Sequence, residues 1–518
     1  MMHNSNIIHR ITSLGTVILL LTVAPMLTAC QMSDGEECPQ EPSVDVRQYI
    51  NLSVTVSSGH SATRAGNQPV AGENGDGREA GLERENEVSG ITVILYQDDK
   101  GINTAKDPTI DFVDYYETTL VSRETPGSQY TDKTDEAVYT TGDRLVSGTT
   151  FDPEKTYHAI IVANKDLTET ITAGTSTLND VRNMVMREEL YKGTANTASN
   201  FIMSSEADCE ISRTKAYVDK TVPQKIVFRY KDIRIERLAA RIDFWAAGSN
   251  GYKTIADNST YTTPGYEYTV YDGDNTTGDR FVVTGIMPFN LNHYDTNNGG
   301  EYLLKRLTYK IEDGFTPSWL DDETGSNYVV DPATIRKGGG GELTYFQNKL
   351  LDIKPAETIA INTNPFYRSA ADLYAALTSN GGIASFEDSG KKGDNLIIAY
   401  SFENTLWNAS LLYNYATGLA IEGDYYVGGT GEPQHRIYYG YLRHNGSSAS
   451  AYHAMLGAEL VATEKATSAN AMEFGIVRNN IYRVYISKIN KEVTGSSSIT
   501  LNIKVKKWDV FTHKTIYM

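Results

Sequence analysis

The sequence predicts a mainly β protein made of β-sandwiches, with one or two short helices. Short alternating or apolar runs recur along the whole chain, separated by Gly, Asn and Asp turns. Tyrosine is unusually common, at 34 residues, and Tyr, Thr, Val and Ile favour strands. Only two stretches carry a helical pattern. The length of 518 residues suggests two or three domains, enough chain to bury a core without staples.

The first thirty residues stand apart from any fold. Arg10 precedes "ITSLGTVILLLTVAPMLTAC", the basic-then-apolar form of a secretory signal. The run is short for a spanning helix, and Pro25 breaks it. Its end, Leu27-Thr28-Ala29-Cys30, resembles a bacterial lipobox. Residues 1–29 then read as a lipoprotein signal peptide, and Cys30 as the lipidated (palmitate-bearing) residue, which holds the precursor to a membrane through acyl chains. The acidic "SDGEE" at Ser33–Glu37 resembles an export signal that sends lipoproteins to the cell surface.

A strand pattern follows at once. Ile50, Leu52, Val54 and Val56 are apolar and alternate with Asn51, Ser53, Thr55 and Ser57. Residues 58 to about 88 are polar, Gly-rich and without period, and carry Arg64-Ala65. Strands resume with "GITVILYQ", "TYHAIIVANK", "SNFIMSS" and "QKIVFRYKD". "TSTLNDVRNMVMREELY" reads as a helix: Thr177 and Asp180 form a capping box, with Leu178, Val181 and Val185 on one face. "IRIERLAARIDFWAA" alternates Leu238, Ala240, Ile242 and Phe244 with charged residues, and a domain boundary falls just before it. Further runs are "RFVVTGIMPFNL", "EYLLKRLTYKI", "NLIIAYSFENT", "YATGLAIEGDYYV" and "RIYYGYLRHN". A second helix is capped by Ser369, and Gly338–Gly341 reads as a loop. The end is strand-rich: "NNIYRVYISKIN", then "SITLNIKVKKW", then an apolar tail through Ile516, Tyr517 and Met518.

Composition excludes several functions. The net charge is −18, and no basic cluster suits nucleic acid. With Cys30 assigned, Cys38 and Cys209 are too few to make a disulfide framework. The nine His form no HExxH and no Cys pairing at metal spacing; His435 and His444 read as structural or surface residues. "YDGDNTTGD" starts like a calcium loop at Asp272 and Asp274 but has Thr277 at the sixth position and Val283 at the twelfth, so it reads as a turn. No phosphate loop or nucleophile elbow occurs. Glu403-Asn404 and the Glu422/Asp424 pair are isolated carboxylates on strands. The chain thus reads as a non-enzyme, with no catalytic residue, metal or cofactor.

Taken in order, these segments resemble the fimbrillins of Bacteroidia, the FimA-like and Mfa-like major subunits of type V pili. The lipobox, "INLSVTV" ahead of Arg64, "GITVILYQ", "HAIIVANK", "NFIMSS", "IERLAARIDFW", "VTGIMPFN", "YATGLAIEGDYY", "MEFGIVRNNIYRVYISKI" and "IKVKKWDVF" carry the likeness. The second half is more similar to the Mfa type. The resemblance implies two tandem transthyretin-like β-sandwiches, at 65–231 and 232–518, after a lipidated propeptide, 30–64. It implies a shaft subunit of a surface fimbria, exported as an outer-membrane lipoprotein and cut between Arg64 and Ala65 by an arginine-specific surface protease. Arg47, Arg78 and Arg84 compete as cut sites; Arg47 lies before the strand, so a cut there would not release the groove, whereas cuts at the other two would. The removable strand of Ile50, Leu52, Val54 and Val56 would leave a groove for a neighbour's donor strand, built from Val510, Phe511, Thr512, Ile516, Tyr517 and Met518. Partners would be identical subunits in a homopolymer and the anchor and tip fimbrial proteins, with roles in adhesion and biofilm. The rival readings are an anchor or accessory subunit, to which Cys38-Pro39 points, and a surface glycan-binding lipoprotein. For the last, Trp245, Trp407 and Trp508 sit in strand-like runs and so suit a core better than a sugar platform.

Overall fold

Alternation of apolar and polar residues puts side chains on opposite faces of a strand, and here it produces a chain of strands in two large sheets. A computed structural model of the protein describes residues 47–56, 78–97, 107–122, 138–205, 217–219, 225–245, 252–255, 265–292, 301–303, 307–309, 328–330, 366–372, 383–384, 392–404, 417–442, 450–453 and 476–509, apart from 81, 156, 183, 188–189, 191–197, 370 and 494–495. The described residues all belong to one compact unit, Val46–Met518. The signal peptide, Cys30, Cys38, Arg64, Ala65, Cys209, the Gly338–Gly341 loop, Trp407, His444 and the tail from Val510 to Met518 lie outside the described residues.

The first half contains β1 (Arg47–Val56), β2 (Arg78–Ala80), β3 (Gly90–Gln97), β4 (Ile110–Glu117), β5 (Thr119–Ser122), β6 (Val138–Thr140), β7 (Arg144–Leu145), β8 (Tyr157–Ala163), α1 (Leu178–Arg182), β9 (Val185–Arg187), β10 (Met203–Ser205), β11 (Tyr217–Asp219) and β12 (Lys225–Arg237). The second contains β13 (Ala240–Trp245), β14 (Tyr252–Ile255), β15 (Gly265–Asp272), β16 (Asn275–Phe289), β17 (Glu301–Leu303), β18 (Leu307–Tyr309), β19 (Tyr328–Val330), β20 (Arg368–Ser369), β21 (Ile383–Ala384), β22 (Lys392–Ser401), β23 (Gly418–Tyr426), β24 (Gln434–Tyr441), β25 (Ser450–His453), β26 (Asn480–Val493) and β27 (Ser496–Asp509).

The first sheet runs β4-β3-β8-β10-β12-β1-β6-β5, with β11 on β12 and β7 on β1. Its two ends, β4 and β5, are joined in sequence by the single residue Thr118. In a flat sheet they would lie about 34 Å apart, far beyond the reach of one residue. The sheet therefore curls on itself and encloses a core in which β1, β3, β8 and β12 all bury their apolar side chains. The second sheet runs β21-β22-β13-β26-β15-β16-β23-β24, with β27 along β26 and β2 and β25 along β27. Its own core gathers Ile242, Phe244, Tyr268, Phe281, Ile421 and Tyr482, among others.

The expected boundary at 231/232 falls inside β12. The chain changes sheet at Leu238–Ala239, and Ile397, Tyr400, Phe402 and Ile481 of the second half join the first core. The expected long helix is one turn. Its capping box forms, with the Thr177 N–H donating to Asp180 Oδ2 at 2.8 Å and the Asp180 N–H to Thr177 Oγ1 at 3.2 Å. Leu178 and Val181 are buried, but Val185 opens β9, which pairs with β17. A five-residue helix gains little by itself, so pairing with a distant strand overrides the local pattern. The Ser369 Oγ accepts from the Asp372 N–H at 3.1 Å, and the helix expected after it lies mostly outside the described residues.

Gly423 on β23 is required by close approach. A Cβ there would sit 2.3 Å from the Phe281 ring and 2.5 Å from the Val282 carbonyl oxygen on the paired strand β16. The carbonyl cannot yield, so Gly423→Ala is expected to cost about 1–3 kcal/mol in a thermal or urea melt.

Candidate functional site: the channel filled by the first strand

β1 is the first described element of the chain, yet it lies inside a sheet rather than at its edge. It runs parallel to β12 on one side, from Arg47 opposite Lys225 to Val56 opposite Ile235. On the other side it pairs antiparallel with β6 and β7. The register slips between Leu52 and Val54, where β12 carries one more residue than β1. Only a strand that matches this slip fills the channel along its whole length.

The sequence-predicted plug residues come together as one row. Ile50, Leu52, Val54 and Val56 are all fully buried in the first core, beside Phe228, Tyr230, Ile233 and Ile235 of β12. Thr55 is buried too, whereas Asn51 and Ser53 are half-buried. At ~1.5–3 kcal/mol for each apolar side chain, four contribute roughly 6–12 kcal/mol, an upper figure because the unfolded chain already buries some surface.

Polar contacts hold the strand in register. The Thr141 N–H and Thr140 Oγ1 both donate to the Leu52 carbonyl at 3.1 Å, and the Leu52 N–H donates to Thr141 Oγ1 at 3.1 Å. Gln48 makes a two-way clasp: its Nε2 donates to the Phe151 carbonyl at 2.6 Å, and its Oε1 accepts from the Phe151 N–H at 2.7 Å. Asp143 bridges the two walls. It accepts from Asn51 Nδ2 of β1 at 2.6 Å and from Lys225 Nζ of β12 at 2.6 Å. The same ammonium lies 4.6 Å over the Tyr49 ring. No ion pair involving a β1 side chain occurs among the described contacts of this channel; the strand is held by apolar burial, by hydrogen bonds to neutral groups, and at its exposed side by Asn51 on the Asp143 carboxylate and Tyr49 under Lys225.

The Asn51 hydrogen bond, followed by the one from Lys225, holds the Asp143 carboxyl below its ordinary value of 3.8. A lowered folded-state pKa adds stability above the unfolded value, and that stability is lost as pH falls through the folded value. The grip on β1 is therefore expected to weaken below about pH 4. Amide exchange on residues 47–56 of the wild type, compared with Asp143→Asn, checks this: the variant should lose that part of the pH dependence.

A second polar centre lies where the sheets meet, and the sequence reading missed it. The 3-10 turn Glu83–Asn86 follows β2, and its Glu85 is fully buried. Glu85 accepts from Arg241 Nη1 at 3.1 Å, from the Leu82 N–H at 2.6 Å and from the Tyr400 hydroxyl. Burial and the Glu85 charge raise the Tyr400 pKa, so the hydroxyl stays protonated and donates. Arg241 also binds Asp243 in a fork, at 3.0 and 2.9 Å, and Asp243 accepts from Arg483 at 3.2 Å. Arg237 Nε donates to the Glu85 carbonyl at 3.0 Å, and Arg237 Nη2 donates to Asn86 Oδ1. The charged residues that alternate with apolar ones in "ERLAARID" are buried as well: Arg237, Arg241 and Asp243 are fully buried. Alternation could not reveal this, because the partners of Arg241 and Asp243 lie 156 and 240 residues away.

The other singled-out carboxylates are structural. Glu403 pairs with Arg478 at 2.6 Å, both buried. His435 sits 3.1 Å from Glu422 and 3.6 Å from Asp424; the bond with Asp424, then that with Glu422, raises its pKa to about 9. "YDGD" forms the β15–β16 hairpin turn, with Gly273 at φ 57° and Asp274 3.3 Å from Lys488 Nζ. Trp245 is buried, edge-on to Tyr485 at 5.4 Å between centroids. Among the described residues, no helix is long and apolar enough to cross a membrane.

The fold and channel define a class: a mainly β, two-sheet protein whose first strand is an inserted member of its first sheet. No protein-family model matches the chain. No curated protein matches it either. Among solved structures it is similar to a protein of Parabacteroides distasonis ATCC 8503 assigned to cell adhesion, at 13% identity, with a TM-score of 0.39 over 90% of this chain and 98% of that one. It is similar to the tip fimbrial protein Mfa3 of Porphyromonas gingivalis, determined with a C-terminal truncation, at 10% identity and TM-score 0.36, over 89% of this chain and 100% of that one. A fimbrilin, FimA, of Porphyromonas gingivalis W83 follows at 12% identity and TM-score 0.34, over 91% and 100%. Likenesses at these scores say nothing about function.

Proposed function

We propose that the chain is a shaft subunit of a cell-surface fimbria that polymerises by exchanging β1 for a strand of a neighbouring subunit. The observation that carries this is the position of β1: four fully buried apolar residues, in the middle of a sheet, on a segment that precedes the Arg64 loop. In this reading the precursor is lipidated at Cys30 and reaches the outer membrane with β1 in place. An arginine-specific protease then cuts between Arg64 and Ala65. When β1 leaves, β12 and β6 lose their partner, and an apolar channel with unpaired backbone opens. A strand from the next subunit satisfies both needs. The donor is the tail from Val510, including Phe511, Thr512, Ile516, Tyr517 and Met518. Such a head-to-tail contact does not close, so it builds a filament.

Arg64→Ala tests the first half and deletion of Val510–Met518 the second. Both variants are expected to fold and reach the cell surface, and neither should give the ladder of sheared polymers expected of the wild type on a gel without heating. A normal ladder from Arg64→Ala would reject Arg64 as the cut site. A normal ladder from the deletion would reject the tail as donor.

A further inference from the structure

If β1 is cut away, the new N-terminal segment loses its covalent tether to the first sheet, and the next elements must hold by themselves. The geometry points to an anchor there: the turn Glu83–Asn86, with the buried cluster of Glu85, Arg241, Asp243 and Arg483, fixes the chain downstream of Arg64 and shields the bonds after Arg78 and Arg84 from arginine-directed cleavage. This inference rests on the processing proposed above.

Three observations carry it. First, the two sides of the loop are held by different forces. β1 buries no charge of its own: it is retained by apolar burial, hydrogen bonds and the partly exposed Asn51–Asp143 contact, which an incoming strand of similar pattern can replace. The turn is retained by charges removed from water, whose partners sit on β12, β13 and β22. No exchanged strand can supply those. Leaving one member of such a cluster buried alone is among the costliest changes a protein can undergo.

Second, the turn braces a wall of the channel. Tyr139 of β6 donates its hydroxyl to the Asn86 carbonyl at 2.9 Å. β6 is the strand that pairs with β1 opposite β12. With β1 gone, β6 keeps β5 on one side and this bond to the turn, so the vacated channel retains both walls.

Third, the competing arginines are shielded. Proteases read an extended segment, with the arginine side chain free to enter a pocket. The bond after Arg84 precedes fully buried Glu85, whose N–H donates to the Leu82 carbonyl at 2.9 Å within the turn. Arg84 is itself half-buried. The bond after Arg78 lies in β2, paired along β27 through Arg78–Lys507, Glu79–Trp508 and Ala80–Asp509. Cleavage at either arginine requires the anchor to open first, and its rate follows the open population.

The test is limited digestion of the purified full-length precursor in detergent with an arginine-specific endoproteinase, read by intact mass and N-terminal sequencing. In the wild type, cleavage after Arg78 and Arg84 is expected to be about 100-fold or more slower than after Arg64. Glu85→Ala should bring both cuts close to the Arg64 rate. Glu85→Gln keeps the side chain's shape while losing its charge, and should fall between; it serves if Glu85→Ala fails to fold by circular dichroism. Prompt wild-type cleavage after Arg84 would overturn the anchor while leaving Arg64 as the processing site. So would a folded Glu85 variant with an unchanged pattern. A wild type that resists cleavage after Arg64, and is cut after Arg84 only in the Glu85 variants, would keep the anchor and reject the processing scheme.

Discussion

Removing residues 30–64 is expected to leave a chain, Ala65–Met518, that does not persist as a stable monomer. The deletion takes away four fully buried side chains, Ile50, Leu52, Val54 and Val56. Their burial is worth roughly 6–12 kcal/mol as an upper figure, comparable to the ~5–15 kcal/mol that holds a typical protein folded. The loss also leaves the carbonyl and N–H groups of β12 and β6 without partners in the middle of a sheet. Either the first sheet collapses or the channel takes up another strand. A thermal melt of the truncated chain should therefore show a much earlier transition, or a shift to high-mass species that deepens with concentration. Adding a synthetic peptide of residues 47–56 should restore the late transition and the monomer. A peptide with Leu52 and Val54 replaced by Asp should do neither, because an isolated charge in that core has no partner.

The second large effect is at the joint. Arg241→Ala is expected to destabilise the protein by about 3–5 kcal/mol, since it strands Glu85 and part of Asp243, both fully buried, without a compensating charge. Urea denaturation with two probes, one for each half, checks the size and shows whether both cores respond. They should respond together, because Tyr400, Phe402 and Ile481 bridge them. Pairing Arg241→Met with Glu85→Gln should recover part of the loss. That pair removes the opposed charges together and leaves Arg483 to balance Asp243.

Much of the fold was legible because local period and global environment agree. "GITVILYQ" is apolar on both faces and becomes β3, a strand inside the first sheet with every residue from Gly90 to Tyr96 buried. The alternation of Ile50 through Val56 reads as a strand with one buried face, and β1 is that strand. The location of β1 was not legible. Nothing between residues 47 and 56 says that its partners are Lys225–Ile235 on one side and Val138–Thr140 on the other. Parallel pairing of segments so far apart leaves no local mark. The helix was over-read for a related reason: Thr177 and Asp180 signal a helix start, but only contact with Glu301–Leu303 decides that Val185 continues as strand. The buried cluster leaves no mark in the alternation. A charged residue between two apolar ones ordinarily faces water. In β13 the second face meets Glu85 and Arg483 instead, and only their proximity in the fold makes the charges bearable.

The central claim is that β1 is a temporary occupant of its own sheet. Filaments sheared from cells, purified and digested for peptide mass mapping test it most directly. The account predicts subunits that begin at Ala65 and yield no peptide from Arg47–Val56, with the Glu79–Asn86 segment retained. Filament subunits that still carry Arg47–Val56 would contradict it.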